Sequence, residues 1–248
     1  MIKLEKTNVM NFENAIRGAR NPMNSWDKGD SRYCGIKNLE EYHYLAKPND
    51  TYEDIIHRCD GCKHLDDGCC FMVGENDLAL ARKLVKAGSD HRKFLRQIFV
   101  SVDITAPLYW WKEFDTYKVG TVSNSCSTMH KIHAKEFTLN DFSYENMISN
   151  LGETFEALDA LYLIIDVLND YRNSYNETKD KRYWYSMIQL LPSSYNQLRT
   201  VTMNYENLLN IYYSRKHHKL NEWHTVCDWI ETLPYFKEMC LEDKTDGE

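Results

Sequence analysis

No run of apolar residues in this 248-residue chain approaches the roughly 20 needed to cross a bilayer as a helix. A membrane partner is therefore not expected. The opening residues, Met1-Ile2-Lys3-Leu4-Glu5-Lys6, lack the apolar core of a secretory signal, and a cytoplasmic protein is the expectation. An excess of positive charge is missing as well: 30 Lys and Arg face 37 Asp and Glu, a formal net charge of −7. Proteins that hold a nucleic-acid polymer draw most of their affinity from neutralising phosphates, so that class is not expected here. A free nucleotide needs only a few local cations and stays open. Internal repeats and low-complexity segments are also absent.

What is present fits a globular protein. Hydrophobic residues make up 43% and charged residues 27%, which supports a packed core and argues against disorder. Aromatics reach 13%, with 17 Tyr and 6 Trp; such side chains serve cores, subunit interfaces and base-stacking pockets alike. The length allows one large domain or a domain with an elaborated insertion.

Along the chain, Phe12 to Lys28 reads as a short helix followed by an irregular loop, stopped by Pro22 and the punctuation through Ser31. Residues 31–75 are the least regular part and hold five of the eight Cys, which marks them as an insertion within a single 1–248 domain. A helix is expected over Asp77–Ala87, capped by Asn76 and closed by Gly88. Residues 95–104 alternate as a half-buried strand, and Pro107 should open a helix at its first position. Further helices are expected over about 153–174, 180–191, 194–216 and 219–231.

Three groups of residues could carry chemistry. On the 194–216 helix, Asn204 and Arg215 would lie within about 20° of one face, with Asn210 about 120° away from Asn204. Such a helix offers a guanidinium fork and amides that read a base edge, although a solvated helix end accounts for the same residues. The block Pro107–Lys131 gathers Lys112, Glu113, Asp115, Tyr117, Lys118, Asn124, Ser125, Ser127 and His130 around a glycine turn, the makings of a phosphate cradle or of an ordinary polar turn. His91, Arg92, Lys93 and Arg96 form a basic cluster suited to an anion or simply to charge balance.

At these residues the chain resembles the flavin-dependent thymidylate synthases, an α+β family with a small sheet packed with long helices. Lys86-Ala87-Gly88 precedes His91, and Pro107 and Thr116-Tyr117-Lys118 follow at that family's spacing. Asn124 and Ser127 match its loop with a one-residue adjustment. Leu191-Pro192, Tyr195, Thr202-Met203-Asn204, Asn210, Arg215 and Asn221-Glu222-Trp223 repeat the agreement. The resemblance covers roughly residues 76–230. It departs where the family's Arg-His-Arg triplet becomes Thr116-Tyr117-Lys118, and where its Glu after the flavin His becomes Arg96. Family arginines likewise become Met129, Ile188 and Glu206, so Lys93, Lys112, Lys118 and Arg199 are the candidate substitutes.

The resemblance implies FAD as cofactor, a deoxyuridylate-type pyrimidine nucleotide as substrate and a folate as one-carbon donor. It also implies methyl transfer to C5 of the base and a homotetramer with sites shared between subunits. By the same route His91, Lys93, Lys118, Asn204 and Asn210 would hold the flavin, and Asn124, Ser127, Arg199 and Arg215 the nucleotide, with Arg215 polarising the pyrimidine. Two further readings stay open on the same fold: a non-catalytic protein that binds or sequesters a nucleotide, and a structural oligomer with a vestigial site. All the nucleotide readings require the stretches His91–Ser127 and Asn204–Arg215 to meet in one cleft.

Within the insertion, Cys59-x-x-Cys62 followed by Cys69-Cys70 has the knuckle spacing of a small metal site. A structural zinc and a set of reduced thiols both fit this pattern.

Overall fold

The computed structural model describes residues 2–33, 71–148 and 156–241. The Cys59, Cys62, Cys69 and Cys70 group lies outside the described residues. Two compact units emerge, one formed by Met1–Asn8 with Val100–Ile230 and the other by Val9–Phe99 with Glu231–Glu248.

In chain order the elements are β1 (Lys3–Met10), α1 (Phe12–Ala19), β2 (Arg32–Tyr33), β3 (Phe71–Met72), α2 (Glu75–Lys86), β4 (Phe99–Pro107), α3 (Leu108–Phe114), β5 (Val122–Ser125), α4 (Thr128–Lys131), α5 (Ala157–Thr178), α6 (Lys181–Leu190), β6 (Asn196–Asn204), α7 (Tyr205–Arg215), α8 (Asn221–Glu231) and α9 (Phe236–Cys240). The main sheet has the order β1-β4-β6-β5, giving the α+β architecture expected from the sequence. Among the described residues, no helix is long and apolar enough to cross a membrane.

In the first unit, β4 shows the period of a half-buried strand. Val100, Val102, Ile104 and Ala106 alternate inward and are at most 1% exposed. Pro107 ends that strand and caps α3, whose Trp110, Trp111 and Phe114 are buried. The Trp110 ring lies 4.9 Å from Trp111, 5.1 Å from Phe114 and 4.8 Å from Trp223 of α8, an aromatic centre that joins α3 to the start of α8. A second cluster joins Leu161, Ile165 and Leu168 of α5 to Met187 of α6 and to Ile132, Phe137 and Phe142. Near the start of α3, the Tyr109 hydroxyl donates to the Glu222 carboxylate. Burial, reinforced by that carboxylate, pushes the hydroxyl above its ordinary value, so it stays a donor.

The expected 194–216 helix is corrected. Residues 196–204 form β6, and only Tyr205–Arg215 is helical. Gln197, Val201 and Met203 point inward at alternate positions, and Thr and Val favour the extended form. The one-face geometry proposed for Asn204 and Arg215 therefore does not hold, because Asn204 has extended backbone angles (φ −126, ψ 169) as the residue before the helix. Smaller corrections concern α2, which begins at Glu75 behind Gly74, and Lys93–Gln97, a 3-10 turn ahead of β4. The helix expected over 153–174 runs from Ala157 to Thr178 and stops at Lys179 in the left-handed region.

In the second unit, α1 packs on the Lys93–Gln97 turn and on α2, and α2 packs on α9. An ion pair sits among these elements. Arg20 Nε donates to Asp77 Oδ1 at 2.5 Å, and the two side chains are only 6% and 3% exposed. The other Asp77 oxygen accepts from the Ser31 hydroxyl at 2.5 Å and the Ser31 amide at 3.0 Å. Asp30 completes the knot: its carboxylate accepts from the amides of Asn76 and Asp77 at the start of α2, where an anion relieves the unpaired N–H groups.

Candidate functional site

In the first unit, Glu113, Asp115, Tyr117, Arg199, Asn204 and Arg215 meet around the turn that follows α3. Its backbone is self-bonded: Asp115 N to Trp111 O, Thr116 N to Glu113 O and Tyr117 N to Phe114 O. That geometry directs Glu113 and Tyr117 at the end of α7. Arg215 Nη1 donates to Glu113 Oε2 at 2.8 Å and its Nε to the Tyr117 hydroxyl at 2.8 Å. The guanidinium carbon lies 4.6 Å from the Trp223 ring centre and 5.5 Å from that of Tyr117, within cation–π range.

Glu113 Oε2 gathers two more donors, Trp223 Nε1 at 3.0 Å and His218 Nε2 at 3.3 Å. Because His218 Nδ1 accepts from the Leu220 amide, the ring proton belongs on Nε2 of a neutral imidazole. The Arg215 side chain is 18% exposed, with two nitrogens committed to protein partners and Nη2 bonded to no described residue.

A second knot lies at the start of α7. Asn204 Oδ1 accepts from the Asn207 amide at 3.0 Å, and Asn207 Oδ1 accepts from the Asn204 amide at 3.2 Å, a reciprocal cap. Asn207 Nδ2 then reaches the Val119 carbonyl at 2.7 Å, tying the 115–121 turn to the helix. Gly120 has φ +73, and a Cβ there would stand 2.9 Å from Asn207 Oδ1 and 3.1 Å from Asn204 Nδ2. Only glycine fits both demands. Gly120→Ala is expected to cost about 1–3 kcal/mol through the left-handed backbone and the loosened cap. Thermal unfolding measures it, and an unshifted midpoint would refute this account of the turn.

Arg199 is nearby but engaged. Its Nη1 donates to Asp115 at 2.7 Å, its Nε to Gln197 Oε1 at 3.0 Å, and its guanidinium lies 4.1 Å from the Trp111 ring centre. The pairing of β5 with β6 sets Asn124 opposite Thr200 and Ser125 opposite Arg199. Ser127 caps α4 by accepting from the His130 amide at 2.9 Å. Asn124, Ser127, Lys112, Lys118 and Asn210 are exposed, and no ion pair engages Lys112 or Lys118 among the described residues. His91 and Lys93 are exposed residues of the second unit.

No cluster of His, Cys, Asp or Glu able to hold a metal occurs among the described residues.

Glu113, Asn207, His218 and Trp223 complete this site, and the sequence reading gave none of them a specific role. The signal was partial: Glu113 stands in the polar block after Pro107, and His218 follows Arg215 by three residues. What joins them is a separation of 102 residues between Glu113 and Arg215, which no local pattern reports.

No protein-family model matches the sequence, and no curated protein matches it. Solved structures do. Thymidylate synthase X (ThyX) from Helicobacter pylori, crystallised with FAD and dUMP, aligns over 100% of both chains with a TM-score of 0.60 and 13% identity. A second Helicobacter pylori flavin-dependent thymidylate synthase structure, also complexed with FAD and dUMP, covers 97% of this chain and 98% of its own, with a TM-score of 0.59 and 12% identity. The chain has the fold of the flavin-dependent thymidylate synthases.

Proposed function

We propose that this protein binds a deoxyuridylate-type pyrimidine nucleotide and, with FAD, transfers a one-carbon unit to C5 of the base. The observation that carries this reading is the fold shared along the whole chain with enzymes crystallised with FAD and dUMP. Fold alone does not fix function, so the reading also leans on the side chains that line the turn after α3.

Flavin, when bound, supplies the redox and one-carbon chemistry. The residues present fit it. Lys118 offers an ammonium that no ion pair engages among the described residues, and Asn204 keeps its amide nitrogen after its oxygen has capped α7. Asn210 is exposed on the same helix. For the nucleotide, Arg215 directs Nη2 at a pyrimidine carbonyl and withdraws charge from the ring as C5 reacts, while Asn124 and Ser127 bond sugar or phosphate. Arg199 joins them on exchanging Asp115 for a phosphate. A folate as one-carbon donor and a homotetramer belong to the same reading.

One observation favours a second reading, nucleotide binding without transfer. Arg215 is already neutralised by Glu113, which weakens its pull on a carbonyl while leaving a donor for recognition. The purified protein separates the two. Flavin absorbance together with calorimetric binding of dUMP is expected. Colourless protein that takes up no added FAD but binds dUMP leaves only the second reading, and failure to bind either ligand removes both.

A further inference from the structure

The second unit contains a cleft of about 880 Å³, lined by Asn11, Asn14, Arg17, Asn21, Trp26 and Gln97, a volume in the range of small-molecule sites. Asn14 and Arg17 lie three apart on one side of α1, and Asn11 precedes the helix as its N-cap residue. Their hydrogen bonds all run one way. Asn11 Nδ2 donates to the Gln97 carbonyl at 2.9 Å, Asn14 Nδ2 to Asn11 Oδ1 at 2.7 Å, and Arg17 Nη2 to Asn14 Oδ1 at 3.0 Å. Trp26 Nε1 likewise donates to Asn21 Oδ1 at 2.8 Å.

The consequence is a lining with donors in excess. Each of the three asparagine oxygens already accepts a protein N–H, whereas each amide keeps at least one N–H, and Arg17 keeps Nε and Nη1. The lining holds one positive charge and no carboxylate. Trp26 is 54% exposed, which leaves its ring available for stacking. Gly18 forms part of the wall, where a Cβ would stand 3.1 Å from Gln97 Oε1.

We propose that this cleft is a second ligand site, separate from the one on the first unit, that takes a nucleoside monophosphate. Its phosphate meets Arg17 and the amide N–H groups, and its base stacks on Trp26. The Arg17 guanidinium and the unused amide N–H groups favour an oxyanion, and a planar aromatic surface selects a ring.

Calorimetry on the full chain tests this with AMP, and with ribose 5-phosphate and adenosine as its two halves. AMP binding is expected to fall at least tenfold in Arg17→Met, with ribose 5-phosphate weakened alongside it and adenosine unaffected. In Trp26→Ala, AMP and adenosine are expected to weaken at least fivefold while ribose 5-phosphate does not. Both side chains are exposed, so unfolding midpoints should stay put. No AMP binding, or AMP binding that neither variant weakens, overturns the proposal. Because dUMP is itself a nucleoside monophosphate, variants tell the two sites apart: dUMP binding at Arg215 is lost in Arg215→Ala and kept in Arg17→Met and Trp26→Ala, residues of the other unit.

Discussion

Asp77→Ala should lower the unfolding free energy by about 3–5 kcal/mol, the usual penalty for leaving a buried charge without its partner. In a chain of this size that is roughly 10 °C in the midpoint. The expectation follows from what Arg20 has left. It is 5% exposed, its Nη1 reaches only the Ser25 carbonyl at 3.2 Å and the Ser25 hydroxyl at 3.5 Å, and its Nη2 is buried without a partner among the described residues. Loss of Asp77 also releases Ser31 and Asp30 from the start of α2.

The double variant Arg20→Met with Asp77→Leu separates ion-pair loss from simple damage. Removing both charges together should restore much of the stability, because the desolvation cost disappears with them. A double variant as unstable as the sum of the singles would contradict the pairing. Acid unfolding gives an independent check. Burial pushes the Asp77 carboxyl up, but the Ser31 hydroxyl, Arg20 and the Ser31 amide outweigh it and hold the group below the ordinary 3.8. A carboxylate depressed on folding contributes stability above the ordinary carboxylate range, and this is lost as pH falls through the folded value. The wild-type chain should therefore lose stability more steeply than Asp77→Ala below about pH 4.

This pair also shows what a sequence conceals. Arg20 and Asp77 were visible only as residues of a helix end and a helix start, 57 positions apart. By contrast, β4 was legible because Val100, Val102, Ile104 and Ala106 alternate without interruption, and α5 because Leu161, Ile165 and Leu168 recur at helical spacing. The β6–α7 junction failed for a physical reason. Gln, Leu, Arg and Met in 197–203 are sound helix formers, and neither glycine nor proline marks the boundary. The signals that remain are the short Thr200-Val201-Thr202 run and Asn204 with Asn207, a capping pair that uses Asn where Glu or Gln is usual. Arg215 was legible as the basic end of a helix, but its surroundings depend on α3 and α8 converging through Trp110 and Trp223, a tertiary fact.

That convergence sets the second large effect. Arg215→Ala is expected to weaken dUMP binding about 10- to 100-fold, the worth of one charge-assisted hydrogen bond in a partly buried setting. Stability should fall by only about 1 kcal/mol, because Glu113 is 34% exposed and keeps Trp223 and His218 as donors. Arg215→Lys keeps the charge but loses the fork that binds Tyr117 and Glu113 together, so it should recover little of the affinity. Glu113→Gln works in the opposite direction: it removes the charge that neutralises Arg215 and should tighten dUMP several-fold at low salt. Calorimetry with dUMP and with deoxyuridine then locates the contact. Parallel losses for both ligands in Arg215→Ala place the guanidinium on the base, and a loss confined to dUMP places it on the phosphate. An affinity unchanged in Arg215→Ala would sink the role assigned to this arginine and, with it, the network around Glu113 as a nucleotide site.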